Sequence, residues 1–311
     1  TAVVAQGPDT LWTKTFGGTN YDIGYAVQQI TDSGYIIVGY TQSFGTGYSD
    51  VYLVKTNVGG DTTWTKTYGG IYDDYGYSVQ ETFDGGYIIA GETESYSIPV
   101  QVPDVYLIKT DADGDTEWTR TYGGVGYADG GCSVQQTSDS GYIIVGYTKS
   151  FGPGIHYYPN AYLIKTNASG DTMWTRTYGG DDSDIGRSVC QATDNGYLIV
   201  GNSSSFGMGW IDVYIIKTDV DGDTEWTRVY GDYYANDIGY SAQQCSDGGY
   251  IITGGTESYG AGISDVYLIK INEMGNTEWT VTYGGTRFDV GHSAWETSDN
   301  GYIIVGYTKS F

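Results

Sequence analysis

The sequence has few basic residues, few prolines and no long apolar run. Only 14 lysines and arginines stand against 38 aspartates and glutamates, which gives a formal net charge of -24 at pH 7. This charge repels phosphate backbones and anionic lipids, so nucleic acid and membrane surfaces are excluded as expected partners. No apolar run approaches the roughly 20 residues of a membrane helix. The 5 prolines and 15% aromatic residues fit a chain that buries a core.

Cysteine and histidine are also scarce. Cys132, Cys190 and Cys245 lack the paired spacing of zinc ligands, and an odd number cannot pair fully within the chain, so we interpret them as buried apolar residues. The two histidines, His156 and His292, are interpreted as surface or packing residues. Nucleophilic catalysis needs a base within reach of the nucleophile, and no such pair is singled out. We predict no catalytic residue, no cofactor and no enzymatic activity.

An internal repeat fills the chain. Six tryptophans recur at intervals of 52 to 56 residues. They are Trp12, Trp64, Trp118, Trp174, Trp226 and Trp279. Each copy offers segments of strand length, rich in Val, Ile, Tyr and Thr and bounded by Gly, Asp and Asn. Tight Asp-x-Gly turns such as Asp84-Gly85-Gly86 separate the second and third segments, which predicts antiparallel hairpins.

A unit of about 52 residues is too small to fold alone, and its middle strands are apolar on both faces. Neighbouring units must cover those faces, which predicts an all-β fold: a six-bladed β-propeller of four-stranded antiparallel blades spanning residues 1–311 as one domain. Packing between blades should supply most of the stability.

The repeated YIIVG, VYLIKT and GDTEW elements resemble those of secreted bacterial and archaeal β-propeller repeat proteins. In strand order the units are also similar to WD repeats and to the repeats of quinoprotein dehydrogenases. The WD-like pattern implies that the innermost strand of each blade is the Ser-Val-Gln-Gln segment and that the outermost is the tryptophan strand. The Trp-Asp pair and Gly-His of WD repeats are missing, and no quinone-binding constellation is present. The resemblance therefore implies the architecture and carries over no activity or cofactor.

The last copy lacks its third strand. Five copies of that strand begin at Val51, Val105, Ala161, Val213 and Val266. The tryptophan strand of the last blade is expected at residues 11–16, and the candidate for its third strand is the segment 1–6. Sharing of the last blade by the two chain ends would remove exposed sheet edges. In the alternative, another subunit donates the strand and a polymer forms.

Most charged residues occupy repeat columns, which favours structural roles. One basic column follows five of the six repeat tryptophans by two residues, on the same strand face, where the cation can lie against the ring or meet a carboxylate of the next blade. A second basic column lies in the third strand. The recurrent aspartates at the entry to the innermost strands are interpreted first as turn caps and second as a carboxylate ring. They are Asp22, Asp74, Asp129, Asp184, Asp237 and Asp289.

Two turns carry alternating carboxylates similar to calcium loops. They comprise Asp111, Asp113 and Asp115, and Asp219, Asp221 and Asp223. Equivalent turns such as Asn57-Val-Gly-Gly-Asp61 keep the length and lose the ligands. A hairpin is therefore the first interpretation, with no metal, and calcium is the second.

The connections that vary between copies should all emerge on one face of the ring, and they are rich in aromatic residues. Such loops give contact area at low entropic cost, as binding surfaces do. The binding candidates are Tyr48, Tyr72, Tyr127, His156, Tyr157, Tyr158, Trp210, Tyr233, Tyr234 and Phe288. The other interpretation is that these rings cover the blades and bind nothing.

These observations favour a non-catalytic structural or adhesive propeller, extracellular or at the cell surface. Its partners would be further copies of itself, in a homo-oligomer or a polymer built by strand exchange, or a surface glycan or protein. The first alternative is a carbohydrate-binding propeller that uses the aromatic loops. The second is a polysaccharide lyase or hydrolase.

Overall fold

A computed structural model describes residues 10–154 and 156–310, in which all regular secondary structure is β-strand. Unit 1 contains β1 (Asp22–Gln29), β2 (Tyr35–Thr41), β3 (Asp50–Thr56) and β4 (Thr62–Tyr68). Unit 2 contains β5 (Asp74–Glu81), β6 (Tyr87–Thr93), β7 (Asp104–Thr110) and β8 (Thr116–Tyr122). Unit 3 contains β9 (Asp129–Gln136), β10 (Tyr142–Thr148), β11 (Asn160–Thr166) and β12 (Thr172–Tyr178).

The second half of the chain continues the pattern and ends in a shorter unit. Unit 4 contains β13 (Asp184–Gln191), β14 (Tyr197–Ser203), β15 (Asp212–Thr218) and β16 (Thr224–Tyr230). Unit 5 contains β17 (Asp237–Gln244), β18 (Tyr250–Thr256), β19 (Asp265–Ile271) and β20 (Thr277–Tyr283). Unit 6 contains β21 (Asp289–Glu296) and β22 (Tyr302–Thr308). The described residues thus form five four-stranded sheets and one two-stranded sheet.

Each sheet is an antiparallel meander in which consecutive strands are neighbours. The predicted turns between the second and third segments fall between the first and second strands of each unit. They need a residue with positive φ, which Gly85 (φ 83°) and Asn195 (φ 69°) supply. No described helix could cross a membrane.

Tryptophans join neighbouring units, as the repeat predicts. The Trp118 indole meets the Tyr142 ring of the next unit edge to face, with ring centroids 5.8 Å apart. The same indole covers Gly170, where an added Cβ would lie 2.7 Å from the ring. Gly170 also has φ 77°, so both the turn and the contact require glycine. These packed faces build five apolar clusters, each spanning adjacent units.

Both basic columns have structural contacts. Lys217 in β15 is 2% exposed in its side chain and pairs with Asp194 at 2.7 Å and Glu225 at 2.9 Å. In the other column, the Arg176 guanidinium lies 5.4 Å from the Trp174 ring centroid and pairs with Asp223 of the next unit at 3.3 Å. The cation therefore touches both partners predicted for it, the ring and a neighbouring carboxylate.

The innermost strands of all six units line one cavity of about 430 Å³. Side chains of these strands link adjacent units: the Gln136 N–H donates to Gln80 Oε1 at 2.6 Å, and the Gln191 N–H donates to Gln135 Oε1 at 2.6 Å. The predicted strand order, from the Ser-Val-Gln-Gln segment inside to the tryptophan strand outside, is confirmed.

Unit 6 and unit 1 expose the apolar faces that other units bury. Val305 in β22 is 62% exposed, whereas its equivalent in unit 3, Val145, is fully buried against Gly186. Val27 in β1 is 65% exposed, against 8% for its equivalent Val79 in unit 2. We call the two exposed faces the seam. The unit 6 face comprises Trp295, Ile303, Val305 and Tyr307, and the unit 1 face comprises Ile23, Tyr25 and Val27.

The prediction of a strand at residues 11–16 is wrong. This segment forms no strand, because no neighbouring third strand within the described residues supplies hydrogen bonds to it. Its side chains nevertheless make the contacts of an outermost strand: Trp12 packs on Tyr35, and Lys14 pairs with Asp61 at 2.7 Å. The predicted third strand, 1–6, lies outside the described residues.

Candidate functional site

The two variable kinds of connection meet on one face, as predicted. The second-to-third-strand loop of one unit accepts a backbone hydrogen bond from the start of the next unit: the Asp74 N–H donates to the Ser49 carbonyl at 2.8 Å, and the Asp237 N–H donates to the Ile211 carbonyl at 2.7 Å. We call this surface the loop face. Because such contacts recur between units, the loops form a continuous surface across the blades.

The structure distributes the binding candidates along the loop face rather than gathering them at one point. Tyr127 and His156 stack, with ring centroids 3.6 Å apart. Tyr233 and Tyr234 form a second pair at 6.1 Å. The other candidates are also largely exposed: Tyr48, Tyr157, Tyr158, Trp210 and the borderline Phe288, with Tyr72 partly buried. The loop face therefore offers several separate aromatic platforms.

The recurrent aspartates at the strand entries are turn caps. Asp184 Oδ2 accepts from the Gly180 N–H at 2.8 Å and from the Ser205 hydroxyl at 2.7 Å. Five of the six side chains are buried and Asp22 is partly exposed; they lie close to a second, mostly acidic column at the start of the third strand. Burial, and then the charge of Asp129, raise the pKa of Asp104 in that column to about 6. The geometry is that of caps and supports no carboxylate ring at the channel.

In the two calcium-like turns, the first and the last carboxylate are already engaged. Asp111 Oδ1 accepts from the Asp113 and Asp115 N–H groups at 3.0 and 2.8 Å, and Asp115 pairs with Lys66 of the preceding unit at 2.6 Å. Asn57 Oδ1 makes the same turn contacts in unit 1. Asp219, Asp221 and Asp223 repeat the arrangement of unit 2 in unit 4. Among the described residues, no group of three or more His, Cys, Asp or Glu side chains has a metal-binding arrangement.

A different site lies at one end of the central channel, the space that the innermost strands line. Each innermost strand carries a β-bulge at the same position, so one residue per strand has no partner in the register. The bulge residues are Tyr25, Tyr77, Cys132, Arg187, Tyr240 and His292. All six line a cavity of about 750 Å³, here called the channel mouth. Bulges re-aim side chains, and here they turn the variable column of the repeat into the channel.

The channel mouth contains one acidic and one basic side chain among its described lining residues. Glu92, in β6, accepts hydrogen bonds from the Tyr77 hydroxyl at 2.7 Å and the Tyr147 hydroxyl at 2.9 Å. Arg187 donates from Nε to Asn202 Oδ1 at 2.8 Å, and its guanidinium lies 5.1 Å from the Tyr240 ring centroid. The two charged groups are therefore held in place by their neighbours.

Burial shapes the remaining ionisable groups of the channel mouth. Burial raises the pKa of the Cys132 thiol to about 11, with Arg187 lowering it in part and Glu92 raising it further. Burial, and then the positive charge of Arg187, lower the pKa of His292. The thiol and the imidazole are therefore neutral at neutral pH. Cys190 and Cys245 also have raised pKa values through burial, about 12 and about 11.

Sequence reasoning missed the channel mouth. His292 was interpreted as a surface or packing residue. The available signal was that its column changes chemical class, from Tyr to Cys, Arg and His, between an invariant glycine and a small residue. The bulge that brings this column into the channel becomes visible only in the strand register.

Comparisons with known proteins support the fold. No protein-family model and no curated protein matches the chain. The WD40 domain of Neurospora crassa Pan2 is similar in structure, with a TM-score of 0.51 and 9% identity over 90% of this chain and 71% of that one. The chain has a β-propeller fold.

Two further structures are matched at lower similarity. A protein of unknown function from Bacteroides caccae has a TM-score of 0.43 and 10% identity, covering 81% of this chain and 97% of that one. A xylan β-1,4-xylosidase from Bacillus halodurans C-125 has a TM-score of 0.41 and 12% identity, covering 85% of this chain and 55% of that one.

Proposed function

We propose that this propeller is a non-catalytic structural or adhesive module, extracellular or at the cell surface, with six blades and an incomplete last blade that accepts a strand. The incoming strand comes from residues 1–6 of the same chain or from another copy. Donation between copies would link propellers head to tail and build a polymer.

The open edge of β22 is the observation that carries this proposal. Within the described residues β22 pairs only with β21, whereas the equivalent strands β2, β6, β10, β14 and β18 each have two neighbours. Among the residues that the structure describes, none pairs with the other edge of β22, whose N–H and C=O groups are a template for an added strand. The exposed seam beside it adds apolar surface that a completed ring would bury.

The tryptophan contact expected of the outermost strand of the incomplete blade is present. Trp12 packs on Tyr35 of unit 1 as Trp64 packs on Tyr87 of unit 2, with ring centroids 5.7 and 5.9 Å apart. Residues 10–16 thus lie where the outermost strand of the blade before unit 1 belongs. With β21 and β22 as the inner strands of that same blade, only its third strand is needed.

Light scattering after size-exclusion chromatography tests the assembly. We expect particle mass to rise with protein concentration in multiples of the single-chain mass. Val305→Lys places a charge in the seam and should shift the population towards single chains. Val220→Lys, at an exposed turn position outside the seam, is the matched control and should behave as the wild type. A single-chain mass at every concentration would rule out the polymer and leave closure within one chain.

Carbohydrate binding is a second candidate function, favoured by the exposed aromatic platforms of the loop face. Trp210 is 64% exposed and Tyr157 81% exposed, and rings of this kind offer flat apolar faces to sugars. A glycan array with the wild type and a Trp210→Ala, Tyr157→Ala variant tests this function. Signals that disappear in the variant support it, and an array without any signal excludes it for the glycans presented.

A further inference from the structure

We propose that the channel mouth is a binding site for a sugar acid, meaning a monosaccharide ring that carries one carboxylate. The proposal rests on Arg187 and Glu92, which belong neither to the loop face nor to the seam; Tyr25 is shared by the channel mouth and the seam. Its basis is the combination of an anion-binding group, hydroxyl-binding groups and aromatic walls around one cavity.

Arg187 provides the anion-binding group. Its Nε–H donates a hydrogen bond to Asn202, which is 4% exposed, and this bond fixes the plane of the guanidinium. No carboxylate of the described residues forms an ion pair with Arg187, and its two terminal nitrogens have no hydrogen-bond partner there. A planar guanidinium with two free terminal nitrogens matches the geometry of a carboxylate. Stacking on Tyr240 holds this fork in the channel.

Glu92 and its two tyrosines provide the hydroxyl-binding groups. Each carboxylate oxygen receives one phenol hydrogen bond, from Tyr77 or Tyr147, and each retains capacity for a further donor. Sugar hydroxyls are such donors, whereas a ligand that bears only anionic oxygens would be repelled by Glu92. The acid therefore selects a ligand with neutral hydroxyls on the side away from Arg187.

Aromatic rings and cavity size fit the body of the ligand. Tyr25 and Tyr77 line the cavity with ring centroids 5.1 Å apart, and Tyr240 lies beside Arg187. Such rings offer apolar faces to the C–H side of a sugar. The volume of about 750 Å³ falls within the range of small-molecule sites. Neutral Cys132 and His292 add polar contacts without adding charge.

Isothermal titration calorimetry with D-glucuronate tests the proposal, with D-glucose and benzoate as comparison ligands. We expect saturable glucuronate binding, and about tenfold weaker binding of glucose because it lacks the carboxylate. Benzoate lacks the ring hydroxyls and should also bind about tenfold more weakly. Stronger binding of benzoate than of glucuronate would overturn the sugar assignment, and no saturable binding of glucuronate would overturn the site.

Two variants locate the binding. Arg187→Gln should weaken glucuronate binding about tenfold or more, since it removes the charged fork. Arg120→Gln makes the same charge change on the outer surface, where Arg120 pairs with Asp171, and should leave the affinity within about twofold. If Arg187→Gln fails to fold, Glu92→Gln is the substitute, with an expected weakening of about threefold to tenfold. Unchanged affinity in a folded Arg187→Gln or Glu92→Gln variant would contradict the proposal.

Discussion

Trp12 meets Tyr35 edge to face with ring centroids 5.7 Å apart, although more than twenty residues and the whole of β1 separate them. Trp279 makes the equivalent contact with Tyr302 at 5.7 Å, joining unit 5 to unit 6. The contact therefore recurs at the first and the last of the six repeat tryptophans. Its presence at Trp12 supports a ring, because the first tryptophan has the position of a strand from the blade before unit 1.

The tryptophan contacts should dominate stability. Trp118→Ala removes a ring that packs on Tyr142 and Gly170 of the next unit. We expect a loss of about 3–4 kcal/mol in the free energy of unfolding, measured by urea denaturation. Trp210→Ala removes an exposed loop ring and should change this free energy by no more than about 0.5 kcal/mol. Equal effects of the two variants would contradict the role of the repeat tryptophan.

A buried lysine of the third strand should contribute more to the free energy of unfolding than a more exposed lysine of the tryptophan strand. Lys217→Ala leaves the Thr218 carbonyl without its lysine donor and removes the partner of Asp194 and Glu225. Because these carboxylates are half exposed, we expect a loss of about 2–4 kcal/mol in the free energy of unfolding rather than the full cost of a buried charge. Lys66→Ala removes a surface pair with Asp115 and should cost less than about 1 kcal/mol.

Asp104 should give the stability a characteristic pH dependence. Its folded-state pKa of about 6 exceeds the ordinary value of 3.8, so the protonated form is favoured by folding. The stability from this group is fully present below about pH 4 and is lost as the pH rises to about 6. Asp104→Asn should therefore stabilise the protein above pH 6 by about 1–2 kcal/mol, because solvent screens part of the charge, with little gain at pH 4. Asn160 shows that an amide is accommodated at the same position of unit 3.

Thermal melting at pH 4 and pH 7.5 measures this effect. Asp221→Asn, in an exposed turn, is the control for removal of one negative charge from an acidic chain. An Asp104→Asn variant that melts at the wild-type temperature at pH 7.5 would show that the burial of Asp104 carries no cost.

Chelation should leave the melting temperature unchanged. Asp111 Oδ1 is occupied by two backbone N–H groups, as is the oxygen of Asn57 in the equivalent turn. Asp111→Asn keeps this acceptor, so we expect a change of no more than about 0.5 kcal/mol in the free energy of unfolding. A lower melting temperature in EDTA, restored by added calcium, would instead establish calcium in these turns.

The repeat made much of the fold predictable, because the third strand is specified five times and the other elements six times. The hairpin turns and the contacts of Arg176 follow from period and composition, and the strand order follows from the resemblance to WD repeats. The channel mouth could not be predicted in the same way. Its residues come from six distant segments, and a bulge breaks the two-residue alternation that assigns side chains to faces. The seam at Val305 depends on closure of the ring, which a local pattern does not specify.

The distance between unit 6 and unit 1 tests the six-unit ring most directly. Spin labels at Ser298 and Thr31 occupy equivalent turns of these two units, and labels at Thr193 and Ser246 occupy the same turns of units 4 and 5. With the three native cysteines replaced by alanine, pulsed electron paramagnetic resonance should give the same distance for both pairs. A separation of Ser298 and Thr31 as large as that between labels at Ser138 and Ser246, two units apart, would contradict the ring of six.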